Sequence, residues 1–252
     1  MTVDAQIQLS RLLTQYAWLL LVSFCAAVYA EDASPTPPKI GNLPAGRVLF
    51  LGNSITRHAP APAIGWTGDW GMAASAKEKD YVQLLTADIA KATTFPPKTM
   101  VRNIADFERN YENFDIEKEF KQELAFQPHL VIIAIGENVP EPATEESRKK
   151  FATSFARLLS TVKQHGQPAV YVRSSFWQSP VKDDIMRRTS LDAGATYVDI
   201  SRLGADKSNM ASSERKIEHA GVAGHPGDKG MKAIADEIFA AIRRTSGATS
   251  EP

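Results

Sequence analysis

Short runs of apolar residues alternate along the chain with longer segments in which apolar residues recur every three or four positions. A short continuous apolar run is typical of a strand buried on both faces of a parallel sheet, whereas the wider spacing predicts an amphipathic helix. The apolar runs predict strands at residues 48–51, 99–104, 129–135, 169–172 and 195–200. The amphipathic segments predict helices at residues 78–91, 115–126, 145–165, 181–193 and 228–243.

The order of these elements predicts the fold class. Strands and helices that alternate throughout a chain predict a parallel sheet with helices on both faces, joined by right-handed crossovers. The five strands therefore predict an α/β protein with a flavodoxin-like, three-layer α/β/α sandwich. We place this single domain at residues 46–245, which is enough chain for one sizeable core, and a flexible tail at residues 246–252.

The first thirty residues differ from the rest of the chain. Arg11 precedes an apolar run at residues 17–30, which is too short to cross a bilayer comfortably but is typical of a signal peptide. Small residues before Glu31 predict cleavage after Ala30, so we expect an exported protein, periplasmic or secreted, with no membrane attachment after cleavage. An uncleaved anchor that begins near Leu12 is the alternative, although polar residues within it argue against that interpretation.

The segment between the predicted signal peptide and the domain is rich in proline. Residues 31–45 contain four prolines and few large apolar side chains before Ile40, which predicts an extended linker. The only cysteine, Cys25, lies within the predicted signal peptide. The mature chain is therefore expected to have no disulfide, no cysteine nucleophile and no cysteine-ligated metal.

Composition narrows the classes of function. The chain is 43% hydrophobic and 23% charged, which is ordinary for a globular protein. Its 29 basic and 29 acidic residues cancel, so nothing predicts a nucleic-acid partner or attraction to an anionic membrane surface. No internal repeat is visible, and the sequence makes no prediction of oligomeric state.

Three polar residues stand where chemistry is expected. Gly52 permits a sharp turn that brings Ser54 to the carboxyl end of the first strand, the edge at which open α/β sheets bind ligands. Asn138 follows the third strand, and His225 precedes the last helix on a loop stiffened by Pro226. A neutral histidine beside Ser54 would act as a general base, while Asn138 and the Ser54 backbone N–H would stabilise a tetrahedral oxyanion.

Each of these residues also has a structural interpretation that the sequence leaves open. Serine commonly caps helices, asparagine forms turns, and a loop histidine need not have a catalytic partner. Glu137 and Asp106 are expected to be solvated or bonded to loops, and Asp228 is expected to cap the last helix. No metal and no other cofactor is predicted.

The motifs Gly52-Asn53-Ser54, Gly136-Glu137-Asn138 and His225-Pro226 resemble, in order, three sequence blocks of the SGNH/GDSL hydrolases. The resemblance spans about residues 46–243 and implies an α/β/α fold and metal-independent hydrolysis of esters by a serine. It implies Ser54 as the nucleophile, His225 as the base and Asn138 as an oxyanion donor.

The sequence departs from the family pattern at three positions. The usual Gly-Asp-Ser is Gly-Asn-Ser here, and the glycine of a further block is not evident, although Ala105 still offers a backbone N–H to the oxyanion. Val222 occupies the position of the family's acid, three residues before His225. Either a backbone carbonyl orients the imidazole in a Ser54–His225 dyad, or a carboxylate such as Glu218 or Asp228 reaches it.

Residues near the predicted catalytic groups indicate a carbohydrate substrate. Flat aromatic faces flanked by polar groups suit a sugar ring, although tryptophans equally serve to fix a long loop to the protein body. The family resemblance also includes many carbohydrate O-acetyl esterases, so we expect a small-molecule or polysaccharide ester. The expected substrate-binding residues are Asn53, Trp66, Trp70, Arg173 and Trp177.

Two other classes of function remain open at this point. A non-catalytic carbohydrate- or ligand-binding module on the same fold would account for the missing acid, because fold alone does not determine function. An anion site at the turn of residues 53–56 is the other possibility, but it gives His225 and Asn138 no role.

Overall fold

The computed structural model describes residues 36–247. The predicted signal peptide, its cleavage site and all but the first two residues of the predicted tail lie outside the described residues. Of the predicted linker, residues 39–44 form an antiparallel pair, β1 (Lys39–Ile40) and β2 (Leu43–Pro44). Within residues 36–247, no helix is long and apolar enough to cross a membrane.

A five-stranded, entirely parallel sheet forms the centre of the molecule, as the sequence predicts. The strand order β4-β3-β5-β6-β7 is of the flavodoxin type, in which the chain leaves the first central strand toward one edge and then returns to build the other. The strands are β3 (Arg47–Gly52), β4 (Lys98–Asn103), β5 (Leu130–Ala134), β6 (Ala169–Arg173) and β7 (Thr196–Val198).

The helices of the described residues vary widely in length. They are α1 (Tyr81–Thr93), α2 (Ala105–Asn110), α3 (Ile116–Glu119), α4 (Lys121–Ala125), α5 (Glu145–Gln164), α6 (Pro180–Asp192), α7 (Ser201–Ala205), α8 (Ala220–Ala223) and α9 (Asp228–Thr245). Short 3-10 turns lie at Pro62–Ile64, Lys77–Lys79, Lys207–Asn209 and Ala211–Ser213.

Three helical predictions differ from the structure. The single helix predicted at 115–126 is two short helices, because the chain bends at the fully buried Phe120. The helix predicted from residue 78 begins at Tyr81, since the Asp80 side chain accepts the Gln83 N–H and caps it there. Asp228 is not the cap of α9 but its first residue, and its carboxylate instead accepts hydrogen bonds from Ser75 and Lys79.

Alternate residues of the strands face two separate hydrophobic layers. In β3, Val48 and Phe50 pack with α1 and α9 on one face, whereas Leu49 and Leu51 pack with α2–α6 on the other. All four side chains are almost completely buried, as expected for a parallel sheet covered on both faces. The carboxyl ends of β3 and β5, which are neighbours in the sheet, therefore open onto one edge between the two helical layers.

Candidate active site

Ser54 lies on a tight turn at the carboxyl end of β3. A side chain at Gly52 would place its first carbon 1.9 Å from the Thr56 hydroxyl oxygen, so only glycine permits the turn. The Asn53 carbonyl accepts the N–H groups of Thr56 and Arg57, both at 2.9 Å, and its side-chain oxygen accepts the Ile55 N–H at 3.2 Å. These bonds hold the half-buried Ser54 at the sheet edge.

His225 lies beside Ser54, with 2.8 Å between the serine Oγ and the imidazole Nε2. The loop that carries the histidine is tied to its surroundings, since the His225 carbonyl accepts the Ala211 N–H at 2.8 Å. The indole of Trp177 meets the imidazole edge to face, with ring centroids 5.1 Å apart. The structure therefore brings together the two residues that the sequence predicts as nucleophile and base.

A backbone carbonyl orients the imidazole. His225 Nδ1 lies 2.6 Å from the Gly221 carbonyl oxygen, which can only accept, so Nδ1 carries the proton and Nε2 presents its lone pair to the Ser54 hydroxyl. The four-residue helix α8 leaves carbonyls without intrahelical partners, and Gly221 supplies one of them. Both ring nitrogens are thus occupied without Glu218 or Asp228.

Val222, at the position of the family's acid, is an apolar packing residue. Its side chain is 3% exposed and belongs to a small cluster with Trp66, Met72 and Ala73. The alternative with a backbone carbonyl in place of the acid is therefore the one that the described residues show. No pattern in the sequence could have identified the Gly221 carbonyl, because every residue of the chain has a backbone carbonyl.

The surroundings keep His225 neutral. Burial lowers its pKa below the ordinary 6.5, and the hydrogen bond to Gly221 opposes that shift without cancelling it. A neutral imidazole is the form that accepts a proton from serine. The ring is therefore ready to act as a base at neutral pH.

Ser54, Ala105, Asn138 and His225 line one cavity of about 490 Å³. Two of the predicted oxyanion donors already have partners inside the protein. The Ala105 N–H donates to the Asn103 side chain at 2.9 Å, and the Asn138 Nδ2 donates one hydrogen to Glu108 at 2.8 Å. The second hydrogen of Asn138 remains for the cavity, whereas Ala105 becomes available only if Asn103 moves aside.

A buried network of charges lies beneath this cavity. The Glu137 carboxylate, 4% exposed, pairs with the fully buried Arg173 at 2.7 Å and accepts a hydrogen bond from Asn53 at 2.6 Å. Asn53 also donates to Glu108, which is fully buried on α2. Glu137 is therefore not solvated but hydrogen-bonds to loop residues, the other expected alternative, since it also accepts the Phe176 N–H at 2.7 Å. Its pairing with Arg173 and the position of Glu108 in this network were not predicted.

The two buried glutamates have opposite pKa shifts. Burial opposes ionisation of Glu137, but the charge and hydrogen bond of Arg173 outweigh it and lower the pKa. Burial and the neighbouring charge of Glu137 raise the pKa of Glu108, against the hydrogen bonds that it accepts. The positive charge of Arg173 therefore compensates the negative charge of Glu137 directly, whereas the buried carboxyl group of Glu108 is stabilised by hydrogen bonds from N–H donors.

The structure places the five predicted substrate-binding residues in different surroundings. Asn53 and Arg173 are fully buried in the network just described and do not line the cavity. Trp66 and Trp70 pack edge to face at 5.5 Å, and their N–H groups donate to backbone carbonyls of the same loop. Trp177 is 36% exposed beside His225, so it is the one of the five that is both exposed and next to the candidate dyad.

Other polar side chains share the cavity, and the sequence did not single them out as site residues. They are His58, Asn103, Asp106, Arg109 and His219. Within residues 36–247, no group of three His, Cys, Asp or Glu side chains has an arrangement that would hold a metal ion.

Comparison with known proteins identifies the fold. No protein-family profile and no curated sequence matches the chain. A protein described as a GDSL-like lipase, from Parabacteroides merdae, is similar in structure with a TM-score of 0.54 and 15% identity, covering 84% of this chain and 100% of that one. Another so described, from Bacteroides uniformis, gives a TM-score of 0.52 and 15% identity, covering 79% and 96%.

A family two carbohydrate esterase from Cellvibrio japonicus is also similar, with a TM-score of 0.50 and 19% identity. The match covers 81% of this chain and 62% of the esterase, so the esterase has additional chain beyond it. These likenesses concern the fold, and they agree with the three sequence blocks and the flavodoxin-type strand order. The chain therefore has the α/β/α fold of the SGNH/GDSL hydrolases.

Proposed function

We propose that this protein is a serine esterase in which Ser54 is the nucleophile and His225 the general base. The observation that carries the proposal is the 2.8 Å contact between Ser54 Oγ and His225 Nε2, with the opposite ring nitrogen bonded to the Gly221 carbonyl. A serine within hydrogen-bond reach of a base that is itself oriented by a third group is the arrangement of an activated nucleophile.

The reaction begins with attack of Ser54 Oγ on the ester carbonyl carbon while its proton passes to His225 Nε2. The negative charge on the carbonyl oxygen is stabilised by the Ser54 backbone N–H and by the free N–H of Asn138. The imidazolium then gives its proton to the leaving alcohol, and the acyl group remains on Ser54. Water, activated by His225 in the same way, releases the acid and restores the serine.

The Gly221 carbonyl performs part of the work of the missing acid. In a well-studied triad, replacing the acid by its amide leaves the imidazole in the wrong tautomer and lowers turnover by about 10⁴-fold. Here the carbonyl accepts from Nδ1 and so maintains the productive tautomer. It supplies only a dipole where an acid supplies a full charge, so the imidazolium intermediate is stabilised less.

We further propose an acetylated carbohydrate as the substrate. The cavity is lined by many polar groups, and Trp177, which does not line it, is 36% exposed beside His225 and is an aromatic residue of the kind that packs against sugar rings. The fold is shared with a family two carbohydrate esterase, which supports the same substrate class. Export of the protein, which is a prediction from residues 1–30, would bring it into contact with polysaccharides.

Hydrolysis of 4-nitrophenyl acetate and of acetylated xylo-oligosaccharides tests this function. We expect Ser54→Ala and His225→Ala each to lower turnover by about 10⁴-fold or more, because the two residues act as a unit. His165→Ala, which alters a histidine at the end of α5, is the matched control and should retain activity.

Wild-type turnover no higher than that of Ser54→Ala would contradict the proposal. Binding of the oligosaccharides without hydrolysis would then favour the binding-module alternative. Activity on 4-nitrophenyl acetate without activity on any acetylated sugar would retain the dyad and reject the proposed substrate.

A further inference from the structure

Glu108 is a fully buried carboxylate on α2 whose partners are all N–H groups. Its Oε1 accepts the backbone N–H groups of Gly136 at 2.7 Å and Asn138 at 3.1 Å, and the side chain of Asn53 at 3.3 Å. Its Oε2 accepts the side-chain N–H of Asn138 at 2.8 Å. Glu108 thus holds both the backbone and the side chain of the residue that supplies an oxyanion donor.

Arg109, the next residue of α2, holds the other end of the same amide. Its guanidinium donates from Nη2 to the Asn138 side-chain oxygen at 3.1 Å. A guanidinium only donates, and every hydrogen-bond partner of the Glu108 carboxyl oxygens is an N–H group, so the two residues fix which way the amide points. With one amide hydrogen bonded to Glu108, the second is the hydrogen left to face the cavity.

Helix α2 begins at Ala105, which lines the cavity together with Asn138. The same short helix therefore contains a residue that lines the cavity and both residues that hold the amide. Asn138 itself lies on the loop after β5, where its side chain would otherwise be free to rotate. Donors in an oxyanion hole act because they are already aimed at the place where charge develops.

We propose that Glu108 and Arg109 are positioning residues that fix the Asn138 amide for stabilisation of the oxyanion. This inference rests on the proposed esterase function. The two residues act through Asn138 and touch neither the nucleophile nor the base. Their effect should therefore appear in kcat more than in KM, and only while Asn138 is present.

The test is a double-mutant cycle on hydrolysis of 4-nitrophenyl acetate. Loss of one oxyanion donor costs about 10²–10³-fold in kcat, so a donor that is present but poorly aimed should cost about 10–100-fold. We expect such a loss for Glu108→Gln, because the glutamine side chain would place its own N–H groups opposite the N–H donors that the carboxyl group accepts. We expect a smaller loss for Arg109→Gln. Neither change should lower kcat further in an Asn138→Ala background.

Glu123→Gln is the matched control, because Glu123 is also a buried glutamate that accepts a hydrogen bond, in its case from Arg102 at 3.1 Å. It lies on α4 and does not line the cavity. The substitution should leave kcat unchanged in both backgrounds. If Glu108→Gln does not fold, as judged by circular dichroism and thermal unfolding, the cycle with the exposed Arg109 decides alone.

Equal losses in the presence and absence of Asn138, for whichever variants fold, would overturn the inference and leave Glu108 a structural residue. That outcome differs from failure of the proposed function, in which the wild type itself shows no hydrolysis that depends on Ser54.

Discussion

At the scale of single residues, the protonation state of His225 governs the proposed chemistry. Burial lowers its pKa below 6.5, and the base works in its neutral form. As pH falls, kcat/KM should therefore decline with a midpoint below 6.5, where the imidazole gains a proton. The profile of kcat/KM for 4-nitrophenyl acetate measures this midpoint directly. A midpoint at or above 6.5 would mean that burial does not lower the pKa of the His225 imidazole.

Val222 offers a second test at this scale. An aspartate at this position would recreate the acid of the family pattern, but the side chain packs with Trp66, Met72 and Ala73, and Nδ1 of His225 already has a partner. We expect Val222→Asp to lower the free energy of unfolding by about 3–5 kcal/mol, as an uncompensated buried charge does, with no gain in kcat.

Val222→Thr is the control for this change, because it keeps the shape and carries no charge. Its buried hydroxyl should cost about 1–3 kcal/mol. Urea unfolding measures both variants, and an increase in kcat for Val222→Asp would show that the Gly221 carbonyl is an inferior substitute for the acid.

At the scale of elements, a distant carboxylate fixes the helix that follows His225. The side chain of Glu214 accepts the N–H groups of Asp228 and Lys229, both at 2.8 Å, and thereby caps α9. Replacing a side-chain cap by alanine typically costs about 0.5–2 kcal/mol, so Glu214→Ala should lower the midpoint of thermal unfolding by several degrees. Glu218→Ala, which alters an exposed neighbouring glutamate, should leave it unchanged. Equal stability of the two variants would contradict the capping role.

Only some of the strands and helices can be predicted from the sequence. The five strands appear as short continuous apolar runs, and the long helices α1, α5, α6 and α9 repeat their apolar residues over enough positions to define a period. Helix α2 has only six residues and no side-chain cap, so neither periodicity nor a start signal marks it. The break between α3 and α4 at Phe120 is equally hidden, because a buried aromatic residue fits a continuous apolar stripe.

At the scale of the whole molecule, the sheet order decides which residues meet. The alternation of strands and helices predicts that Ser54 and Asn138 share one sheet edge, and the three sequence blocks point to His225 as their partner. The charge network of Glu108, Glu137 and Arg173 is not predictable in this way. In this network Glu108 comes from α2, Glu137 from the loop after β5, and Arg173 from β6. Which of these side chains pair depends on burial that no local pattern encodes.

The proposed oxyanion hole is subject to the same limit. The sequence identifies Asn138 by its position after a strand, but the two residues that hold its amide lie about 30 positions earlier, on a helix too short to predict. Ser54 and Asn138 follow strands, whose ends are marked in the sequence, whereas the residues that hold the Asn138 amide are determined by tertiary packing.

Covalent labelling with a fluorophosphonate, followed by peptide mass mapping, tests the central claim most directly. Such a reagent phosphonylates a serine only when a base activates it, so it reports the dyad without requiring the natural substrate. We predict a single adduct on Ser54, absent in Ser54→Ala and formed far more slowly in His225→Ala. No adduct, or an adduct on another serine that persists in Ser54→Ala, would contradict the assignment of Ser54 and His225 as a catalytic dyad.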